Sequence, residues 1–283
     1  MNQGWIALDI DGTTTEGSGP LSLETASYLH HLHLQGWRLM FVTGRTFSYA
    51  HRALHELPFP YFLALQNGAD IVAMPERRLI DQHYFDSDVI FRVENAYRGQ
   101  EEDFLVYAGY QKGDFCYYRP QHFSLAFQDY LQKIQTLASE QWRPLHSFQE
   151  LEGQKFPLIK CLGPEESMLH VEGKLRNFPG LEVVTIHDPL NDKLHLLLVT
   201  DHQATKGNAL ERVVTSQDKG KPRGRIIAAG DDRNDLSMLK KADVRIVMST
   251  APEEVKKEAD IIAGPVGQHG IIAALKEATG DGG

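Results

Sequence analysis

Apolar and polar positions along the chain follow two rhythms. In the first third, compact apolar runs are interleaved with helical spacing. Trp5 to Leu8 is an apolar run ending at Asp9, the pattern of a parallel strand buried on both faces. A loop rich in Gly, Thr, Ser and Pro follows, from Gly12 to Pro20. Ser22 then stands as an N-cap before Ala26, Leu29 and Leu32, and Gly36 is placed to stop that helix. Leu39 to Val42 predicts a second buried strand, Phe47 to Glu56 a helix, and Phe62 to Leu65 a third strand. Strand, helix, strand, helix, strand is the order of a parallel sheet with crossover helices.

Beyond Asn67-Gly68, a turn signal, Asp70 to Met74 and Arg78 to Asp81 predict a small hairpin. From Tyr84 to Val199 the pattern is α+β. Phe104 to Tyr110 and Phe115 to Arg119 flank Lys112-Gly113 as in a hairpin, and Phe123 to Leu137 is helical. Leu158 to Leu162 is a strand, Met168 to Leu175 a helix, and Leu181 to His187 with Leu194 to Val199 an antiparallel pair. The α/β rhythm then returns with a helix from Lys206, a strand Arg225 to Ala229, a helix from Asp235 and a strand Val244 to Val247. The expected architecture is α/β: a discontinuous, Rossmann-like parallel-sheet core made of residues 1–83 and 200–283, with an α+β domain inserted at 84–199.

Composition narrows the function. With 283 residues, 42% hydrophobic and 24% charged, the chain can bury a core without staples. A formal charge of −9 argues against a nucleic-acid footprint, and no basic run is present to recruit anionic lipid. Cys116 and Cys161 are isolated thiols with no CxxC, the usage of a reducing compartment; nothing asks for a disulfide between them. The first residues enter a strand at once, without a leader pattern, and no apolar stretch is long enough for a bilayer. A soluble, cytoplasmic protein is expected.

Four short segments carry candidate chemistry. Asp9-Ile10-Asp11-Gly12-Thr13 sits at the carboxyl end of the first strand, where ligand sites of open α/β sheets lie. Two carboxylates on one face repel unless a cation or a proton intervenes, although a bare Asp-x-Asp-Gly is also an ordinary solvated turn. Thr43, in Val42-Thr43-Gly44-Arg45, ends the second strand, and a hydroxyl beside backbone N–H groups can cradle phosphate oxygens. Lys206 opens a helix, where the macrodipole disfavours a cation unless an anion is near; alone, it reads as a solvated surface lysine. Gly230-Asp231-Asp232-Arg233-Asn234-Asp235 follows another strand, and its acids suit a hard cation such as Mg²⁺ as well as they suit turn chemistry.

Together, Asp9-x-Asp11-Gly12-Thr13, Thr43-Gly44-Arg45, Lys206-Gly207 and Gly230-Asp231-x-x-Asn234-Asp235 resemble the four motifs of the haloacid dehalogenase superfamily. The insertion between the second and third resembles its Cof-type branch with a C2-type cap, which includes sugar phosphatases, sucrose-phosphate phosphatases and phosphomannomutases. Thr14 stands where that family often has an aliphatic residue. The resemblance implies a Mg²⁺-dependent phosphatase of a small phosphorylated metabolite, a sugar phosphate or a relative, working through an aspartyl-phosphate. Asp9 would be the nucleophile and Asp11 the general acid and base. Mg²⁺ would be held by Asp9, Asp231 and the backbone carbonyl of Asp11. Thr43, Gly44, Lys206 and Asn234 would bind the phosphate, and Asp235 would orient Lys206 or a metal-bound water. Asp232, His187 and Asp188 receive no role. In the cap, Arg119 and Lys160 are substrate candidates, each read first as a surface cation or sheet-pairing residue. His30, His31 and His33 read as the polar face of a helix. A phosphomutase would use the same aspartates but needs clustered cap arginines, and Arg92, Arg98, Arg119, Arg143 and Arg176 are dispersed in the sequence. A non-catalytic binding protein would more readily have lost Asp9 or Asp11.

Overall fold

The computed structural model describes residues 3–17, 19–138, 142–188, 190–191, 193–220 and 222–281, excluding the side chains of 137 and 138. Residue 18 of the expected Gly12–Pro20 loop therefore lies outside the described residues. An eight-stranded sheet runs in the order Ile261–Ala263, Val244–Met248, Arg225–Gly230, Gly4–Leu8, Trp37–Val42, Tyr61–Leu65, Asp70–Met74 and Arg78–Gln82. The first six strands are parallel, and the last two add on antiparallel as the expected hairpin.

The chain leaves Gly4–Leu8 toward one edge and later returns to fill the other side with Arg225–Gly230. The order of connection therefore reverses between these two neighbours, which makes their carboxyl ends the switch point of the sheet. Both faces are covered, as the uninterrupted apolar runs require. Ile6, Leu8, Phe41 and Leu63 pack beneath the helices Leu23–Leu34, Phe47–Leu54 and Gly270–Thr279. Trp5, Ala7, Met40 and Val42 pack against Lys206–Gln217. Ser22 caps the first helix as its position predicts, accepting from Thr25 N.

A second, six-stranded sheet runs Leu181–His187, His195–Asp201, Leu158–Gly163, Phe104–Tyr107, Cys116–Tyr118 and Arg143–Pro144. Period-two alternation gives it two distinct faces. Phe104, Val106, Ile159, Cys161 and Val199 meet the helices Asp88–Tyr97 and Glu165–Leu175. Leu105, Tyr107, Leu158, Leu162, Leu196 and Leu198 lie on the other side with helix Leu125–Ala138. Both cysteines are buried free thiols. No helix among the described residues is long and apolar enough to cross a membrane.

Helix Asp88–Tyr97, strand Ile261–Ala263 and helix Gly270–Thr279 stand outside the elements expected above. The structure also shortens one expected element. The helix expected from Asp235 is a 3₁₀ turn, Arg233–Asp235, followed by a single turn, Leu236–Leu239. Asp232 caps that turn by accepting from Arg233 N at 2.7 Å, so local capping holds the loop tight before the helix starts.

Candidate active site

Adjacency at the switch point brings the first and fourth segments together. Asp9 N donates to Ala229 O at 3.0 Å, continuing the parallel ladder one residue beyond the strand. The carboxylates of Asp9, Asp231 and Asp235 converge there, with ligand oxygens within 4.8 Å of one another. Gly12 turns the chain over this cluster at φ +73°, and a Cβ there would overlap the Asp231 carboxylate. Thr13 Oγ1 donates to Asp231 Oδ1 at 3.2 Å.

Lys206 lies in the middle of these acids. Thr205 caps its helix by accepting from Asn208 N. Gly207 lets that helix approach the backbone of Ser237, where any Cβ would collide. The lysine side chain is buried, and its Nζ donates to Asp9 Oδ1 and to Asp235 Oδ1, both at 2.6 Å. The anions expected to explain a lysine at a helix N-terminus are thus carboxylates of the protein itself. Burial works against the ammonium, but the two carboxylates outweigh it and hold Lys206 well above the usual lysine range. Burial pushes Asp9 upward, Lys206 pulls it back, and Asp235 and Asp11 add to the upward push. Asp231 is raised by burial first and then by repulsion from Asp9, Asp235 and Asp232.

That imbalance is the test of whether a cation fits. Three buried or half-buried acids face one lysine, so the cluster carries uncompensated negative charge in a poorly solvated place. An all-oxygen set of this kind suits Mg²⁺. Asp235 is already committed: Oδ1 takes Lys206, and Oδ2 takes the N–H groups of Asp231 and Asp232 at 3.0 and 3.1 Å. Asp9 and Asp231 are left as the carboxylates with capacity for a metal.

Asp11 points elsewhere. Arg45 grips it with two bonds, Nε to Oδ2 at 2.8 Å and Nη2 to Oδ1 at 2.6 Å, and stacks over the Tyr49 ring. Thr43 is buried at the strand end, and its Oγ1 accepts from Arg45 N at 3.1 Å. Asn234 Nδ2 donates to Asn67 Oδ1 at 3.1 Å. A cavity of about 280 Å³ opens over this floor, lined there by Asp9, Asp11, Gly44, Lys206, Asp231 and Asn234. Thr43 itself is not part of its wall.

The opposite wall comes from the second sheet and helix Leu125–Ala138, through Tyr107, Tyr130, Ile134, Lys160, Leu162 and neighbours. Lys160 is therefore at the cavity wall. Arg119 is not. Its guanidinium is held by Asp103 through two bonds of 2.8 Å and by Glu94, and it stacks on Phe148 inside the cap. Arg45, Tyr49, Tyr107 and Tyr130 are lining residues that sequence reasoning passed over. Only Arg45 had a signal, standing two residues after Thr43. Asp232 and Asp188, left without a role, also reach the wall. Asp232 Oδ2 accepts from His187 N at 3.0 Å and so ties the second sheet to the core loop, while Asp188 accepts from the Tyr130 hydroxyl. On the helix Leu23–Leu34, His31 contacts Asp281 and His33 stacks on Phe59, and no metal-binding group forms there among the described residues.

A model of the family of haloacid dehalogenase-like hydrolases matches residues 6–275 of the chain. The chain belongs to that family. Phosphatase YwpJ of Bacillus subtilis is 23% identical over 290 residues, covering 96% of this chain and 98% of that protein. Pyridoxal phosphate phosphatase YbhA of Escherichia coli is 25% identical over 272 residues, 92% of each. Among solved structures, the haloacid dehalogenase subclass IIB sugar phosphatase BT4131 superposes with a TM-score of 0.76 at 19% identity, covering 97% of this chain and 98% of that one. The chain thus shares the fold of that family, an α/β core with a second, capping sheet, and its enzyme class is phosphoric monoester hydrolase.

Proposed function

We propose that this haloacid dehalogenase-like hydrolase is a Mg²⁺-dependent phosphatase of a small phosphorylated metabolite, with Asp9 as its nucleophile and residues 84–199 as its cap. The observation that carries the reading is the buried Asp9–Lys206–Asp235 network beside Asp231, at the switch point and on the floor of the cavity.

In this reading an Asp9 oxygen attacks phosphorus, and the bond from phosphorus to the leaving alcohol breaks as Asp11 hands that oxygen a proton. Water then attacks phosphorus, Asp11 takes its proton, and the bond from phosphorus to Asp9 breaks, returning the carboxylate. Asp9 and Asp231, with the Asp11 carbonyl, would hold Mg²⁺, and its charge would let two anions meet. Lys206 positions Asp9 and offers its ammonium to the phosphate. Gly44 and Asn234 present further donors, and Thr43 acts by shaping the Gly44–Arg45 turn. Asp235 holds both Lys206 and the Asp231 backbone. Arg45 fixes Asp11 at the rim, a positioning part. The cap wall excludes water once the leaving group is enclosed.

The mutase alternative would need arginines gathered over the cavity. Arg92 pairs with Asp88, Arg98 with Asn95, Arg176 with Glu172, Arg119 with Asp103, and Arg143 stacks on Phe115. None of the five lines the cavity, which favours hydrolysis over returning the phosphoryl group. The test is phosphate release from a panel of phosphomonoesters with Mg²⁺, run beside EDTA and Asp9→Asn. Release that needs both the metal and Asp9 supports the reading; isomerised products without phosphate would point to a mutase.

A further inference from the structure

The floor of the cavity is ionic, and the wall that meets the leaving group is mostly aliphatic and aromatic. Alternation along Leu158–Gly163 turns Leu158, Lys160 and Leu162 to one face of the second sheet. Lys160 is registered between Leu105 and Leu198, and Leu196, Leu198, Ile186 and Ile134 complete an aliphatic surface around it. Three tyrosine rings border the same space, from Tyr49, Tyr107 and Tyr130. The polar groups on this wall are largely committed: the Tyr130 hydroxyl to Asp188, Asp188 Oδ1 to Leu190 N, and His187 N to Asp232. Two groups are not: the Tyr49 hydroxyl, buried and without a hydrogen-bond partner among the described residues, and Lys160. Its Nζ sits 5.1 Å from the Tyr107 ring centroid, and among the described residues it forms no ion pair.

We infer that the leaving group is a single-ring aromatic alcohol carrying one acceptor or anionic substituent, not a polyol, and that Lys160 receives that substituent. The inference rests on the phosphatase reading above and names the substrate class for the same site. It departs from the sugar phosphate expected from the sequence. A sugar has several hydroxyl groups to satisfy, and a wall of committed polar groups and aliphatic carbon leaves them unpaired, at about tenfold in kcat/KM for each one stranded. A flat ring instead gains from aliphatic and tyrosine surface. The cavity, about 280 Å³, is at the small end of ligand pockets, which sets the limit near one ring beyond the phosphate. A lone ammonium on an apolar face is a costly feature unless the ligand answers it.

The experiment measures kcat/KM for phosphate release with Mg²⁺ from 4-carboxybenzyl phosphate, benzyl phosphate, glucose 6-phosphate, glycerol phosphate and acetyl phosphate. Acetyl phosphate is small and activated, and it reports on the floor without needing the wall. Both ring substrates should exceed both polyols by at least about tenfold. Lys160→Met should raise KM for 4-carboxybenzyl phosphate more than it lowers kcat. The preference for that substrate over benzyl phosphate should fall by about tenfold or more. Turnover of acetyl phosphate with polyols equal to or better than the rings overturns the substrate inference and leaves the phosphatase reading standing. So does a Lys160→Met enzyme whose preference between the two ring substrates is unchanged. No release from any of the five, acetyl phosphate included, overturns the phosphatase reading, and the inference falls with it.

Discussion

Replacing Lys206 by Met tests the buried network most severely. The ammonium makes two hydrogen bonds of 2.6 Å to carboxylates inside the protein. Met fills similar volume but leaves Asp9, Asp235 and Asp231 facing one another with no cation. Removing one partner of a buried ion pair typically costs about 3–5 kcal/mol, because the surviving charge is stranded. Urea unfolding in EDTA should show a loss of that size. Mg²⁺ should then stabilise the variant more than the parent, since the metal meets one more uncompensated charge; occupancy at 100 times Kd is worth about 2.7 kcal/mol. Turnover should fall by about 10²–10³, as for removal of one electrostatic donor from an active site. Lys206→Arg should not restore it, because a planar fork cannot take the place of a buried point charge between two acids. A loss below about 1 kcal/mol in EDTA, or equal Mg²⁺ responses in the two proteins, would refute the argument.

Three other outcomes are expected. Gly12→Ala, at φ +73° and with no room beside the Asp231 carboxylate, should weaken Mg²⁺ activation and slow turnover at least about tenfold, read from the Mg²⁺ titration of activity. Asp114 reaches from the turn between two cap strands to accept from Ser48 N at 2.7 Å at the start of helix Phe47–Leu54. Asp114→Ala should cost about 0.5–2 kcal/mol in urea unfolding, with Asp114→Asn close to the parent. Asp260 is held down to about 2, chiefly by its bonds to Arg245. A depressed acid contributes stability above its unfolded value of 3.8, and that stability is lost as pH falls through about 2. Both partners are about a third exposed, so the slope should be less than about 1 kcal/mol and absent in Asp260→Asn, measured by urea midpoints between about pH 5 and pH 2.

How much of this was legible in the sequence follows from where each signal resides. Parallel strands buried on both faces read as bare apolar runs, so Trp5–Leu8, Leu39–Val42 and Arg225–Ala229 were visible, with Asp9, Thr43 and Gly230-Asp231 following them. Helix Gly270–Thr279 was not, because Ile271, Ile272, Ala273, Ala274 and Leu275 are apolar in succession and blur the helical period. Strand Ile261–Ala263 spans three residues, too few to show any pattern. Helix Asp88–Tyr97 did carry the period, at Val89, Ile90, Val93, Ala96 and Tyr97, and was there to be read. At the site, the core residues were legible because a short segment fixes each of them relative to a strand end. The cap residues were not, because whether Arg119 or Lys160 meets the cavity depends on which face of a distant strand turns inward. Arg119 found Asp103 and Glu94, partners 16 and 25 residues away, and no local spacing announces them.

The central claim is that Asp9 carries the phosphoryl group, and a rapid acid quench read by peptide mass tests it most directly. The enzyme would be mixed with Mg²⁺ and a substrate that it turns over, stopped within one turnover, and digested. A phosphoryl group on Asp9, labile to hydroxylamine and absent from Asp9→Asn, is the predicted result. Full turnover by the parent with no trapped phosphoryl group, together with phosphate release by Asp9→Asn at the parent rate, would contradict the account.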